Sequence, residues 1–176
     1  VMTATMPPSF EETLVERCAV KGIETIEAND KPDRGRIRIV LEPRPLPTDE
    51  RELGESLKEI LDHESLPLLI VVNKVSKAVE IYEQLCKLVQ KKLLPEDVNI
   101  MLLHSRLRKG VREHVEALLE EKSCKGSSLV LVATQVVEVG VGLDYDILIT
   151  EASPLTSLVQ RCGRIIRHIN HRKEKE

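Results

Sequence analysis

Short runs rich in Val, Ile and Leu alternate along the chain with longer segments in which apolar residues return every three or four positions. The short runs are "VMTATM", "RIRIVLEP", "PLLIVVN", "VNIMLLH", "SLVLVATQ" and "YDILITEA". Between and after them lie "SFEETLVERCAV", "TDERELGESLKEILDH", "VSKAVEIYEQLCKLVQKK", "RKGVREHVEALLEEK" and "PLTSLVQRCGRIIRHI". This alternation predicts right-handed βαβ crossovers, and so an α/β fold with a mostly parallel sheet and helices on both faces. "LPLLIVV" and "SLVLVAT" are continuously apolar, as strands covered on both faces should be. In the segment that starts at Val75, the residues Val75, Ala78, Tyr82, Leu85 and Val89 form the expected core-facing stripe. In the last segment Leu155, Leu158, Val159, Cys162, Ile165, Ile166 and Ile169 fall within an arc of about 120°. Arg161, Arg164 and Arg167 are expected to fan across the opposite side.

Those three arginines pose the chemical question. From Ala152 to Lys173 there is no Asp or Glu, although acids outnumber Lys and Arg by 29 to 26 over the whole chain. No acid stands four residues away on the same helix, so an anion other than the protein's own carboxylates is the expected partner. A guanidinium fork fits phosphate oxygens and stays charged. The bland alternative is a solvated basic face on a core helix. No GxxxxGK[ST] loop and no DExH or DExD run is present, so the rest of any nucleotide pocket must be supplied from outside this sequence.

Composition narrows the class without changing this picture. The 176 residues can bury one substantial core; with 41% hydrophobic residues, two Tyr, one Phe and no Trp, that core is built from Leu, Ile and Val. The charged fraction of 31%, rich in Glu, Lys and Arg, leans toward thermophile proteins. A net charge of -3 excludes a wholesale basic nucleic-acid binder, so a polyanion would be met by local clusters. The four cysteines are scattered without CxxC spacing, which fits reduced thiols in a cytoplasmic protein better than disulfides. Cys162, His168 and His171 do not make a fixed four-ligand set, and no metal site is expected. No signal peptide is visible, and the longest apolar run is far too short to span a bilayer. The start at "VMTATMP" reads as entry in the middle of a domain. "EANDKPDRGR", residues 27–36, reads as a connector and 171–176 as a frayed tail.

"MTATMP", "LLIVVNKVSKAVEIYEQL", "LLHSRLRKGVR", "VLVATQVVEVGVGLDYDILITEASP" and "SLVQRCGRIIRH" resemble, in order and spacing, the third to sixth motifs of superfamily 2 helicases. The "TQVVEV", "DYDILITE" and "QRCGR" wording is most similar to the helicase of type I CRISPR interference, the partner of the Cascade surveillance complex. The resemblance covers nearly the whole chain. It implies a second RecA-like lobe over residues 9–170, preceded by the end of the first lobe at 1–8. It implies an ATP-dependent translocase on single-stranded DNA, with ATP and Mg2+ held mainly by the first lobe and an HD-type nuclease elsewhere. By itself such a lobe would hydrolyse little ATP.

The same resemblance implies residue roles. Arg164 and Arg167 match the arginines that reach across the cleft to the γ-phosphate, with Gln160 and Arg161 beside them. Thr3 and Thr5 match a motif that couples nucleotide state to the nucleic-acid groove. Thr134 and Gln135 follow a buried strand where a hydroxyl and backbone N–H groups suit a strand phosphate. Asn73 matches the fourth motif, with Lys74 in place of the usual Thr. His104, Ser105 and Arg106, with Arg112 nearby, match a segment lining the same groove. Gly142 departs from the family, where an Asp usually reaches the ribose; Asp144 is the candidate substitute. Two rivals stand beside this reading: a DEAH-type or repair helicase lobe, and an adaptor lobe that binds Cascade or nucleic acid without ATP.

Overall fold

The computed structural model describes residues 40, 46–63, 67–94, 97–123, 128–138 and 145–165. All of them belong to one compact unit, Arg34–Glu176. The expectations for Thr3, Thr5, Gly142, Asp144 and Arg167 lie outside the described residues, as do those for His168, His171, the connector and the tail. The elements run α1 (Glu50–His63), β1 (Leu68–Val71), α2 (Val75–Gln90), β2 (Asn99–Leu103), α3 (Lys109–Ser123), β3 (Leu129–Ala133), a 3-10 turn (Gln135–Glu138), β4 (Ile147–Thr150) and α4 (Leu155–Cys162).

The four strands form one sheet in the order β2-β3-β1-β4, with every pairing parallel. β1 and β3 are buried at every position, so side chains that alternate across the pleat must meet a core on each face. On one face Leu68, Ile70, Val72, Val130 and Val132 pack with Leu53 and Leu57 of α1 and Ala78, Ile81, Leu85 and Leu88 of α2. On the other, Leu69, Val71, Leu131 and Ala133 pack with Leu119 of α3, Val137 and Tyr145. The chain moves one way across the sheet from β1 to β2 and back from β2 to β3. Right-handed crossovers therefore send α2 and α3 to opposite faces. The expected α/β architecture is the one observed.

Two expectations about helices change. In α2 the buried stripe is Ala78, Ile81, Leu85 and Leu88. Tyr82 and Val89 are half-buried against its flank, so the stripe is rotated by about one residue from the expected line. The final helix is also shorter than expected. It ends at Cys162, where the low helix propensity of Gly163 meets a tightened last turn: Arg164 N donates to Arg161 O and Ile165 N to Cys162 O. Arg164 is thus past the helix. Its carbonyl accepts a hydrogen bond from Tyr145 N at 3.1 Å, and Ile165 bridges Tyr145 in parallel.

The exit of α2 is closed by Leu93 N donating to Leu88 O and Lys92 N to Val89 O, both at 2.9 Å. This wrap needs a left-handed residue, and Lys92 supplies it at φ 57°. Replacing a side-chain-bearing residue there with glycine relieves a cost of about 1 kcal/mol. Lys92→Gly is expected to raise the urea midpoint at an unchanged slope; a lowered midpoint would show that Lys92 side-chain interactions outweigh the backbone strain.

Candidate nucleotide and strand-phosphate interface

In an open parallel sheet the carboxyl ends of the strands are where ligands bind, because there the loops diverge and leave a crevice. The register puts most of the expected functional residues on that edge. Leu103, Ala133, Val71 and Thr150 are aligned by pairing, so the next residues, His104, Thr134, Val72 and Glu151, leave the sheet side by side. Ser105, Gln135, Asn73 and Ala152 follow. Lys74, Ser105, Arg106, Gln135 and Asn73 are exposed, whereas Thr134 and His104 are buried.

His104 shapes the turn that presents its neighbours. Its Nδ1 accepts a hydrogen bond from Arg106 N at 3.2 Å, and its carbonyl accepts one from Leu107 N at 3.2 Å. Burial, with the positive charge of Arg106 second, holds the imidazole below its ordinary pKa. Neutral His104 is the form that leaves Nδ1 free to accept. Ser105 and Arg106 project from the turn it stabilises. Arg112 lies on α3 and its Nε donates to Glu116 at 2.8 Å.

The centre of the edge is Arg161, which has no solvent exposure. Its Nε donates to Glu138 Oε1 at 2.9 Å, Nη1 to Thr150 Oγ1 at 2.8 Å and to Glu151 O at 3.2 Å, and Nη2 to Asn73 Oδ1 at 3.1 Å. Four of the five guanidinium donors are therefore used. A charge this deep costs several kcal/mol unless it is paired and hydrogen-bonded, and here it is both. This corrects the expectation that the arginine side of the helix faces away from the core and finds its anion outside the protein's carboxylates. Glu138 lies 23 residues upstream, beyond the reach of a search along one helix. The helix is turned to bring Arg161 to it. In consequence Leu155 and Val159, expected in the core, are 76% and 48% exposed.

Arg164 is also buried, at 6% exposure, and its Nη2 donates to Glu138 O at 2.6 Å. Glu138 thus meets Arg161 through its carboxylate and Arg164 through its carbonyl. Gln160 is half-buried on the same helix. Asn73 N donates to Glu151 Oε2 at 2.6 Å, Asn73 Nδ2 to Ala152 O at 2.9 Å, and Gln135 Nε2 to Asn73 O at 3.4 Å. Lys77 Nζ donates to Glu151 Oε1 at 2.8 Å. Glu138, Glu151, Thr150 and Lys77 had no role in the sequence reading. The available signal was the arginine segment itself: a guanidinium without a local acid requires a distant one, and Glu138 and Glu151 each lie just beyond a strand. Among the described residues no group of three His, Cys, Asp or Glu could hold a metal ion. No helix among them is long and apolar enough to cross a membrane.

Burial pushes the Glu151 carboxyl up, but the Lys77 ammonium, the Asn73 N–H and the Arg161 charge outweigh it and hold it below the usual carboxylate range. A carboxylate lowered in the folded state contributes stability that is present above its unfolded pKa and lost as pH falls through the folded value. Glu151→Gln is expected to cost roughly 1–2 kcal/mol at pH 7. By urea unfolding the gap from wild type should narrow as pH falls through the carboxylate range. A gap unchanged between the two conditions would sink the ionic account.

The comparisons with known proteins agree with this geometry. Residues 64–170 match the family model described as CRISPR-associated nuclease/helicase Cas3, C-terminal. The CRISPR-associated nuclease/helicase Cas3 of Methanothermobacter thermautotrophicus is 35% identical over 176 residues, covering 96% of this chain and 20% of that protein. The crystal structure of T. fusca Cas3-ATP superposes with a TM-score of 0.59 at 25% identity, covering 76% of this chain and 17% of that one. A chain of a CRISPR RNA-guided surveillance complex in a pre-nicking state gives a TM-score of 0.53 at 31% identity, over 67% of this chain and 14% of that one. The chain spans about a fifth to a quarter of the length of the first curated relatives it matches. Matched over most of its length by the C-terminal family model and by relatives of the same description, the chain belongs to the CRISPR-associated Cas3 nuclease/helicase family and is a helicase lobe of its C-terminal region.

Proposed function

We propose that this chain is the second RecA-like lobe of an ATP-dependent translocase that moves on single-stranded DNA during CRISPR interference. The lobe occupies residues 9–170, with the end of the first lobe at 1–8 and a tail at 171–176. ATP, with Mg2+, binds between the two lobes and is held mainly by the first. The observation that carries the reading is the shared position of Glu138: it joins the turn after β3, next to Gln135, to the segment that bears Arg164. A nucleotide phosphate at the arginines and a strand phosphate at the loop after β3 would then act on one short piece of backbone.

In this reading Arg164 and Arg167 stabilise charge on the transferred phosphoryl group, with Gln160, Arg161 and Asp144 around the nucleotide. Asn73, Lys74, His104, Ser105, Arg106, Thr134 and Gln135 form the strand surface, the buried His104 and Thr134 by shaping the turns. Thr3 and Thr5 couple the lobes. Contacts are to phosphates, because a chain with two Tyr, one Phe and no Trp has few platforms for stacking bases. ATP closes the lobes, hydrolysis reopens them, and alternating grip advances the strand. The partners are the first lobe, Cascade and an HD-type nuclease domain or subunit, in the cytoplasm. The burial of Arg164 favours a second reading, an adaptor lobe that binds without hydrolysis and uses this arginine internally.

ATPase activity of the protein as encoded in its native gene, with and without single-stranded DNA, separates the two. Arg164→Ala and Arg167→Ala are each expected to lower DNA-stimulated turnover by about 10³-fold with the fold intact. Absence of DNA-stimulated turnover would leave the adaptor, and turnover indifferent to both changes would remove the arginines from the phosphate site. The strand surface has its own test. Arg106→Ala should reduce the slope of log affinity against log salt by about 0.7 for single-stranded DNA. An unchanged slope would remove Arg106 from the interface.

A further inference from the structure

We infer that Arg161 and Glu138 are positioning residues, a buried bracket that fixes the Asn73 amide on the strand-facing edge and Arg164 on the nucleotide-facing side. The inference rests on the proposed assignment of those two ends, but its geometry is independent of it. Arg161 joins three segments distant in sequence. Its Nη2 reaches Asn73 after β1, its Nη1 reaches Thr150 and the Glu151 carbonyl after β4, and its Nε reaches Glu138 after β3. Glu138 continues the bracket to Arg164 through its carbonyl.

The consequence for Asn73 is specific. Its Oδ1 accepts from Arg161, so the side-chain amide is oriented with Nδ2 toward the Ala152 carbonyl. Its main-chain N–H is held by Glu151, whose own carbonyl accepts from Arg161. Exposed Asn73 is therefore oriented from beneath by a side chain that solvent does not reach. Lysine at position 161 would keep the charge but offer three donors from one nitrogen, which cannot span Glu138, Thr150 and Asn73 as the planar fork does. Arg161 thus acts on the strand through Asn73, and its fully buried guanidinium, with four of its five donors used inside the protein, makes no direct phosphate contact in this arrangement.

Two readouts on the native-gene protein test this. Hydrogen exchange is measured on Arg161→Lys and on Thr150→Val, an isosteric change that removes one acceptor without touching charge. In both, exchange at the Asn73 and Val137 amides should rise tenfold or more while the amides of β1 and β3 keep wild-type protection. Thr150→Val keeps the test open if Arg161→Lys does not fold. Wild-type exchange at Asn73, or acceleration spread evenly over the sheet, overturns the bracket whether or not the protein binds DNA. The second readout is a double-mutant cycle in single-stranded DNA affinity with Asn73→Ala and Thr150→Val. If Thr150 and Arg161 act through Asn73, each single change weakens binding and the double change is no weaker than the worse single one. Multiplying effects would overturn the route through Asn73. A protein that passes the exchange test but shows no DNA binding at all would refute the proposed strand surface and leave the bracket standing.

Discussion

A guanidinium with no access to solvent must have its donors satisfied inside the protein, and Arg161 imposes that requirement on the carboxyl edge of the sheet. Its acceptors come from Glu138, Thr150, Glu151 and Asn73, which follow or end three neighbouring strands. None of these segments can shift by much without leaving a buried charge unpaired. Breaking such a pair on one side typically costs 3–5 kcal/mol, far more than a surface bridge such as Arg51 with Glu55 contributes. The polar edge is therefore held by directional hydrogen bonds, while the sheet below is held by unspecific apolar burial.

The division of labour follows from the fold. Parallel strands buried on both faces leave no room for chemistry along their length, so polar function collects where they end. β1, β3 and β4 deliver Asn73, Gln135 and Ala152 to one row at strand spacing, with Glu151 one residue before it. The short turn after β3 then carries Glu138 to the arginines in only a few residues. In a helicase lobe, strand contact and nucleotide contact need to be mechanically joined. In the proposed reading, a compact route through one 3-10 turn would transmit a displacement with little slack, because close-packed interiors deform little.

The outer face of α4 has a cost attached to this arrangement. With Arg161 turned inward, the helix presents Leu155 and Val159 outward. Burying either would gain hydrophobic free energy, and their exposure measures how strongly the guanidinium's demand for acceptors outweighs it. An amphipathic wheel assigns the apolar arc to the core by default. That default fails where the opposite side carries a charge whose partners are already assembled.

Much of the fold was legible in the residues. "LLIV" and "LVLVA" read as strands covered on both faces, the three- and four-residue steps of α2 as a helix on a core, and their alternation as a mostly parallel sheet, all of which the structure has. Asn73, His104 and Gln135 close the strand segments read from the sequence, because local pattern alone locates a strand's end; their roles came from the resemblance. What tertiary structure decided was the orientation of α4 and the partners of Arg161. Those depend on contacts between residues 23 to 88 positions apart, and periodicity carries information only over a few turns. Local sequence determined that arginines and strand ends would be present; the packing of β3's turn against α4 determined which arginine faces inward and what holds it.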